Sequence, residues 1–412
     1  MRGSWARARE GGCHISARQQ ALLPVQTLAD CRPHCDVRDM TETSQQATVD
    51  TAQPLSIDQP MPHRKVIRSW TAPFAQRDNL HAFVLLLIDY ALFLALIAGA
   101  VLFDAWWLQL LCGLAAGFVI GRLFIIGHDA CHMSLTPNRQ LNKWLGRIAF
   151  MPSLTAYSLW DVGHNVIHHG YTCLKGVDFV WEPLTKEEFD ALSPGKRLLQ
   201  RIYRSGWGAG IYYMIEIWWH REFFPNKKYM PTRRSVFIWD NILVLAFWLV
   251  WAVAITLLAL AFAQPVWQAF LFGMAVPLMF WFYMIGFVVY VHHTHEKVSW
   301  QNDKSAWGKA APFVSTTVHL TFPFKIGAAM HHIMEHTAHH VDMTIPLYQL
   351  KNAQHRLEEL LPGRIVVQPF SWKWYFDTAG KCKLYDFQQQ CWTDFDGEPT
   401  SVPRTDVTVV PA

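Results

Sequence analysis

The sequence predicts an all-α integral membrane protein: four transmembrane helices in two hairpins, with a cytoplasmic helical cap that carries the histidines. Three observations predict it. Hydrophobic residues make up 51% of the 412-residue chain and charged residues only 17%, against about 25% charged in ordinary soluble domains. The apolar residues gather in two long stretches, each sufficient for a pair of bilayer spans. Most of the 20 histidines stand in short runs near the ends of those stretches, which is the composition of a metal site. The net charge of +4 is too small to suggest nucleic acid as a partner.

Residues 1–62 are polar, rich in Gln, Thr, Ala and Pro, and lack a hydrophobic period, so they read as a disordered extension. Their arginine-rich, acid-poor start reads either as a transit peptide or as an over-long start with Met40 as the true initiator; no apolar secretory signal follows it. The first two spans are expected from Leu80 to Phe103 and from Ala105 to Ile126, each long enough at about 1.5 Å per residue to cross a ~30 Å hydrocarbon core. A second pair begins near Val236. From Asn241 to Val291 there is no Asp, Glu, Lys, Arg or His, and Gln264-Pro265 breaks the stretch near its middle.

Charge then sets the topology. The loop from Gly127 to Ser235 is strongly basic, from Arg139, Lys143 and Arg147 on to Arg233 and Arg234, whereas the short turns at Asp104 and Gln264 carry no Lys or Arg. The positive-inside rule makes the long loop cytoplasmic, and every histidine run falls on that side. Within the loop, Thr185 with Glu188 forms a capping box and Ser193-Pro194 starts a second helix. The aromatic stretch Ile211 to Phe224 is either a helix at headgroup level or a packed core helix. Asp89 and Arg122 lie at membrane depth, and Arg122 is expected to snorkel to the interface rather than to pair with Asp89. Eight cysteines without a CxxC pair imply no disulfide framework.

Three histidine runs carry the chemistry. His128 and His132, in Gly127-His128-Asp129-Ala130-Cys131-His132, stand at i and i+4 on one helix face, directly after the second span. His164-Asn165-Val166-Ile167-His168-His169 offers up to three more imidazoles, and His336-Thr337-Ala338-His339-His340 another three. A zinc protease would need glutamate beside the first histidine, where Asp129 stands. Eight imidazoles are too many for one ion, which takes about four to six ligands, and suit two. An all-nitrogen site that must do redox work suits iron and dioxygen rather than zinc.

The runs HDACH, HNVIHH and HTAHH, with GHDACH directly after a span and HHVDMTIPLY closing the last run, resemble the membrane fatty acid desaturases, and among them bacterial acyl-lipid desaturases of the delta-12 or omega-6 type. The likeness spans roughly Arg77 to Pro346. It implies a di-iron centre that uses O2 and two electrons to take two hydrogens from adjacent methylenes of a fatty acyl lipid or acyl thioester. The ligands it implies are His128, His132, His164, His168, His169, His336, His339 and His340. The family adds one more at the end of the fourth span, for which His293 is chosen over His292 and His295. The wider second run and the extra pair His331-His332 depart from the simplest pattern; that pair is assigned to the surroundings of the site, and His319 to structure.

Metal-bound imidazoles normally donate their other N–H to an acceptor, and Asp129, Asp161, Asp178, Glu335 and Asp342 are the carboxylates near the runs. An apolar channel between spans and cap is expected to take the acyl chain. No flavin or nicotinamide fingerprint is visible, so electrons must come from another protein, ferredoxin in a bacterial relative or else cytochrome b5, docking on the basic face of an inner-membrane protein. A di-iron hydroxylase or ketolase acting on alkanes, carotenoids or sterols has the same run spacing. A membrane metal transporter would carry polar groups inside its spans, which the uncharged stretch opposes. The membrane enzyme domain is taken as residues 63–346. Residues 347–412 are taken as a soluble C-terminal cap, with short strands at Ile365–Val367 and Trp372–Tyr375 about a turn at Thr378-Ala379-Gly380.

Overall fold

The computed structural model describes residues 52–225, 230 and 234–403. Four helices are long and apolar enough to cross a membrane: Asn79–Leu102, Trp106–Cys131, Ser235–Ala261 and Val266–His293. They are the four expected spans, and the protein is an integral, multi-pass membrane protein. The second span runs past Ile126 without a break, so the first histidine run is its last helical turn. Asp78 caps the first span by accepting from Leu80 N–H at 2.9 Å, as a short acidic side chain does at an exposed helix start.

The spans divide into an inner and an outer pair. Of their most apolar windows, 61% and 50% of the second and fourth are buried, against 33% and 22% of the first and third. The inner pair is drawn close by glycines. A Cβ at Gly113 would lie 2.6 Å from the Phe272 carbonyl oxygen, and one at Gly117 2.6 Å from that of Pro277, so only hydrogen fits where these backbones meet. Away from the histidines, the two hairpin turns are tied by Gln264, whose side chain donates to Asp104 at 2.9 Å.

Asp89 and Arg122 pair inside the membrane region, correcting the expectation that Arg122 snorkels. The guanidinium donates twice to Asp89 Oδ1, at 2.9 and 2.8 Å, and also to the Ala329 carbonyl. His331 Nε2 meets the second Asp89 oxygen at 2.7 Å. A buried carboxylate costs several kcal/mol unless paired, and three hydrogen bonds from two partners, Arg122 and His331, offset that cost. His331, expected in the surroundings of the histidine site, instead fastens the 326–335 loop to the first two spans.

In the long loop, the helix Lys186–Asp190 opens with the expected capping box of Thr185 and Glu188, and Pro194–Tyr203 starts with proline behind Ser193. Two segments wind wider than an α-helix. Asp161–His168 and Tyr213–Phe223 are π-helical, with N–H groups reaching back five residues, His169 to His164 and Phe224 to Trp219. In the second, Tyr213, Ile217, Trp218 and Phe223 are buried while Trp219 and Phe224 stay exposed, so one face packs on the core and the other is free.

Residues 1–51 of the expected disordered extension lie outside the described residues, and the remainder departs from expectation. Residues 52–62 are laid on the C-terminal part: Leu55 N–H donates to Leu360 O at 2.9 Å, Arg364 donates to the carbonyls of Ser56 and Ile57, and Met61 is fully buried. Arg364 supplied no hydrophobic signal, which is why pattern reading missed this contact. In the cap, Val318–Thr321 pairs in parallel with Val366–Pro369, and Leu384–Asp386 antiparallel with Cys391–Thr393. The strand expected at Trp372–Tyr375 is instead the start of a helix, Trp372–Lys381, which also absorbs the expected turn at 378–380. Ser371 caps it through the Trp374 N–H, a start signal that aromatic content concealed.

Candidate metal centre

The wide turn of Asp161–His168 decides how the second run faces. In an α-helix, positions five apart diverge by about 140°. A π-turn of about 4.4 residues brings i+4 and i+5 to either side of i. His164 and His169 therefore turn one way and His168 the other, and the run contributes to two groups of nitrogens. His128, His132, His164, His169 and His339 form one, and His168, His293, His336 and His340 form the second, the ligand atoms of each group lying within 4.8 Å of one another. All nine expected imidazoles are thus brought together. His292 is not in either group; it stacks on His336 at 3.7 Å between centroids and approaches Met334 Sδ. His295 turns away to Gln368.

Nε2 atoms face one another at spacings of 3.1 Å (His128–His164), 3.0 Å (His164–His169) and 3.0 Å (His169–His339) in the first group. In the second they are 3.1 Å (His168–His293), 2.9 Å (His293–His336) and 3.0 Å (His336–His340). At a metal–nitrogen bond of about 2.1 Å, ligands at right angles stand about 3.0 Å apart and tetrahedral ones about 3.4 Å. These neighbouring spacings lie nearer the right-angle value, and imidazole donors are ligands that iron accepts. Five and four nitrogens also fall short of six, leaving room for ligands that are not protein.

The rings are held in the form that binds metal. His168 Nδ1 lies 3.1 Å from both oxygens of Asp178, His128 Nδ1 3.3 Å from Asp129, and His293 Nδ1 2.9 Å from the Thr316 carbonyl. These acceptors fix the proton on Nδ1 and leave the Nε2 lone pair pointing inward. Thr172 gives its hydroxyl proton to His168 O at 2.7 Å, so it accepts from His340 Nδ1. His132 has neither ring nitrogen paired although it is buried, an orphaned donor set that a cation would satisfy. Burial, reinforced by neighbouring imidazoles, pushes the pKa of His132, His164, His169, His336, His339 and His340 well below the usual histidine range. They are neutral at physiological pH, as ligation requires. The residues present fit two metal ions.

Of the carboxylates expected around the site, Asp129 and Asp178 touch imidazoles of the two groups. The other three are turned elsewhere. Asp161 accepts from Asn165 at 2.6 Å, Glu335 meets His332 at 2.8 Å, and Asp342 pairs with Arg68 at 2.9 Å. Beside that pair, Arg64 donates to the carbonyls of His340 and Val341, so the helix before the first span clamps the end of the third run. Thr172, Thr316 and Arg64 carry no motif, and sequence reading had no signal for them.

Against both groups lies a narrow, largely apolar cavity. His128, His164, His168, His293 and His336 form its metal side; Phe124, Trp281, Ile285 and Val288 lead away from it. Its only carboxyl among the described residues is Glu222, which the sequence reading did not single out.

Residues 104–372 match the family model described as fatty acid desaturase. Among curated proteins, the chain is 27% identical over 286 residues to the sn-1 oleoyl-lipid 12-desaturase of Picosynechococcus sp., covering 68% of this chain and 78% of that protein. It is 27% identical over 288 residues to the protein of the same name from Synechocystis sp., covering 69% and 78%. To the chloroplastic omega-6 fatty acid desaturase of Glycine max it is 28% identical over 337 residues, covering 81% and 75%.

Proposed function

This chain belongs to the fatty acid desaturase family, and from that premise we propose that it places a second double bond in a monounsaturated acyl lipid, as a desaturase of the delta-12, omega-6 type. The enzyme is a membrane di-iron desaturase acting on fatty acyl chains. The observation that carries the reading is the apolar cavity that ends on imidazoles of both histidine groups. It supplies a dry, narrow path for methylenes and nothing that would bind a polar reactant at the metal side.

In this reading His128, His132, His164, His169 and His339 would hold one iron, and His168, His293, His336 and His340 a second. The pair would supply the oxidation, in which O2, two electrons and two protons remove two hydrogens from neighbouring methylenes and leave as two waters. The protein's residues do the rest. Asp129 and Asp178 keep their histidines in the Nε2-ligating tautomer. Phe124, Trp281 and Ile285 exclude water and hold the chain against the metal side. The names of the relatives support a glycerolipid-borne oleoyl chain as substrate. The basic Gly127–Ser235 loop supports a cytoplasmic active site and an acidic donor protein, ferredoxin or cytochrome b5, docking there.

The test is a fatty-acid methyl ester profile from a bacterial host expressing the chain with a ferredoxin donor, beside His339→Ala at equal abundance. A diunsaturated product present only with the unaltered chain is expected. Its absence despite iron-loaded protein would remove the assignment.

A further inference from the structure

We propose that His292, which belongs to neither histidine group, is a positioning residue for the second one: its ring, itself held by Met334, is the flat surface that fixes the plane of His336. This rests on reading the two groups as the di-iron centre.

The ligand rings are oriented in different ways. His128, His168, His293 and His340 each have a partner on Nδ1, in Asp129, Asp178, the Thr316 carbonyl and Thr172. The Nδ1 of His336 is buried and has no partner. An imidazole turns easily about its second side-chain torsion, so a ring without a hydrogen bond on Nδ1 needs another restraint to keep Nε2 aimed at the metal. For His336 that restraint is stacking. The His292 ring lies 3.7 Å away between centroids, with 17° between the planes. His293 and His340 meet the same ring edge-on, at 73° and 65°, and His339 stands farther off at 5.4 Å, so His292 supplies the close parallel face.

The end of the fourth span explains this placement. Successive residues of a helix point about 100° apart, so the turn that brings His293 Nε2 against His168 and His336 sends His292 to one side of the group. There its Nε2 lies 3.3 Å from Met334 Sδ. A thioether sulfur only accepts, so Nε2 carries the proton and donates it, and that nitrogen is closed to metal. His292, Met334 and His336 are all buried. Met334 belongs to the 326–335 loop, which His331 fastens to Asp89. The stack is thus anchored from two sides, by the fourth span and by a loop tied to the first.

A stacked ring pair shifts an equilibrium by about two- to twelvefold. That is the weakening of metal retention expected when the flat face is removed, and it should fall on one ion of the two, because His292 touches one group.

The experiment loads the purified full chain with isotopically enriched ferrous iron and reads the Mössbauer spectrum and the release of iron to a chelator, beside the melting temperature of the iron-free chain. His292→Leu fills the space without a flat face; it should speed release of one of the two irons about two- to twelvefold and alter one half of the spectrum. His292→Phe keeps the face and sets a ring edge against the Met334 sulfur, a favourable contact, so release and spectrum should match the unaltered chain. Met334→Leu, which frees the His292 ring, serves if either variant is not recovered folded, and should alter the same half of the spectrum to a smaller extent. Unchanged release and spectrum in the leucine variants overturn the proposal, as does a lower melting temperature of the iron-free chain with no spectral change, which marks packing alone. A phenylalanine variant that loses iron as the leucine one does also overturns it, since the imidazole and not its face is then required. If the unaltered chain holds fewer than two irons, the di-iron reading fails first, and the proposal with it.

Discussion

At the scale of single residues, the clustered histidines were legible and most of the groups that hold them were not. Each histidine run is a local pattern, and nine imidazoles could be named from spacing and resemblance; carboxylates near a run in sequence need not be near it in space. Asp178 lies ten residues beyond His168 and reaches it because the chain turns back, its carboxylate also accepting the Cys173 N–H at 2.8 Å. Asp161 and Glu335, closer to the runs in sequence, face other partners. Asp178→Asn should lower product formation about 10- to 100-fold and reduce iron per chain, since His168 loses the acceptor that fixes its tautomer; metal analysis beside the lipid profile checks both. Glu222 gives a pH prediction. Its folded pKa is raised to about 8, whereas in the unfolded chain it ionises near 4.5. Between those values the folded state binds more protons, so stability falls as pH rises through that window. Glu222→Gln should flatten that part of the curve and raise stability at pH 8 by on the order of a few kcal/mol, read as a higher melting temperature.

At the scale of elements, hydropathy found all four spans, because a bilayer demands a long uninterrupted apolar helix. It could not find the two π-helical segments of the long loop. Their registers depend on which carbonyl an N–H chooses, and a 3.6-residue pattern search places Glu222 on the wrong face. The helix Trp372–Lys381 was misread for a similar reason: Trp372, Trp374 and Tyr375 look like an alternating strand, while the cap at Ser371 is a single hydrogen bond. The Asp89–Arg122–His331 contact was missed because its third member comes from a loop more than 200 residues away. Removing its acid strands a guanidinium that is 16% exposed. Asp89→Ala should therefore cost about 3–5 kcal/mol, seen as a lower melting temperature and a freed 326–335 loop in proteolysis. Asp89→Asn, which retains hydrogen bonding, should cost less.

At the scale of the whole molecule, the histidine groups join parts of the chain that are otherwise separate: the ends of the second and fourth spans, the π-turn of the long loop, and the helix His336–Val341. Filling them stabilises the folded state by mass action. Chelation of the metal should lower the melting temperature and release the clamp of Arg64 on His340, read as faster proteolysis between residues 52 and 71, and readdition of ferrous iron should restore both. The membership of the groups also orders events during biosynthesis. The first takes His339, and the second takes His336 and His340, so a ribosome that has translated three quarters of the chain has assembled neither. The growing polypeptide offers iron only partial, open sets of imidazoles until its last run leaves the exit tunnel. Metal loading is consequently a step that follows membrane insertion, and a nascent chain halted before residue 336 should purify without a stably bound pair of ions.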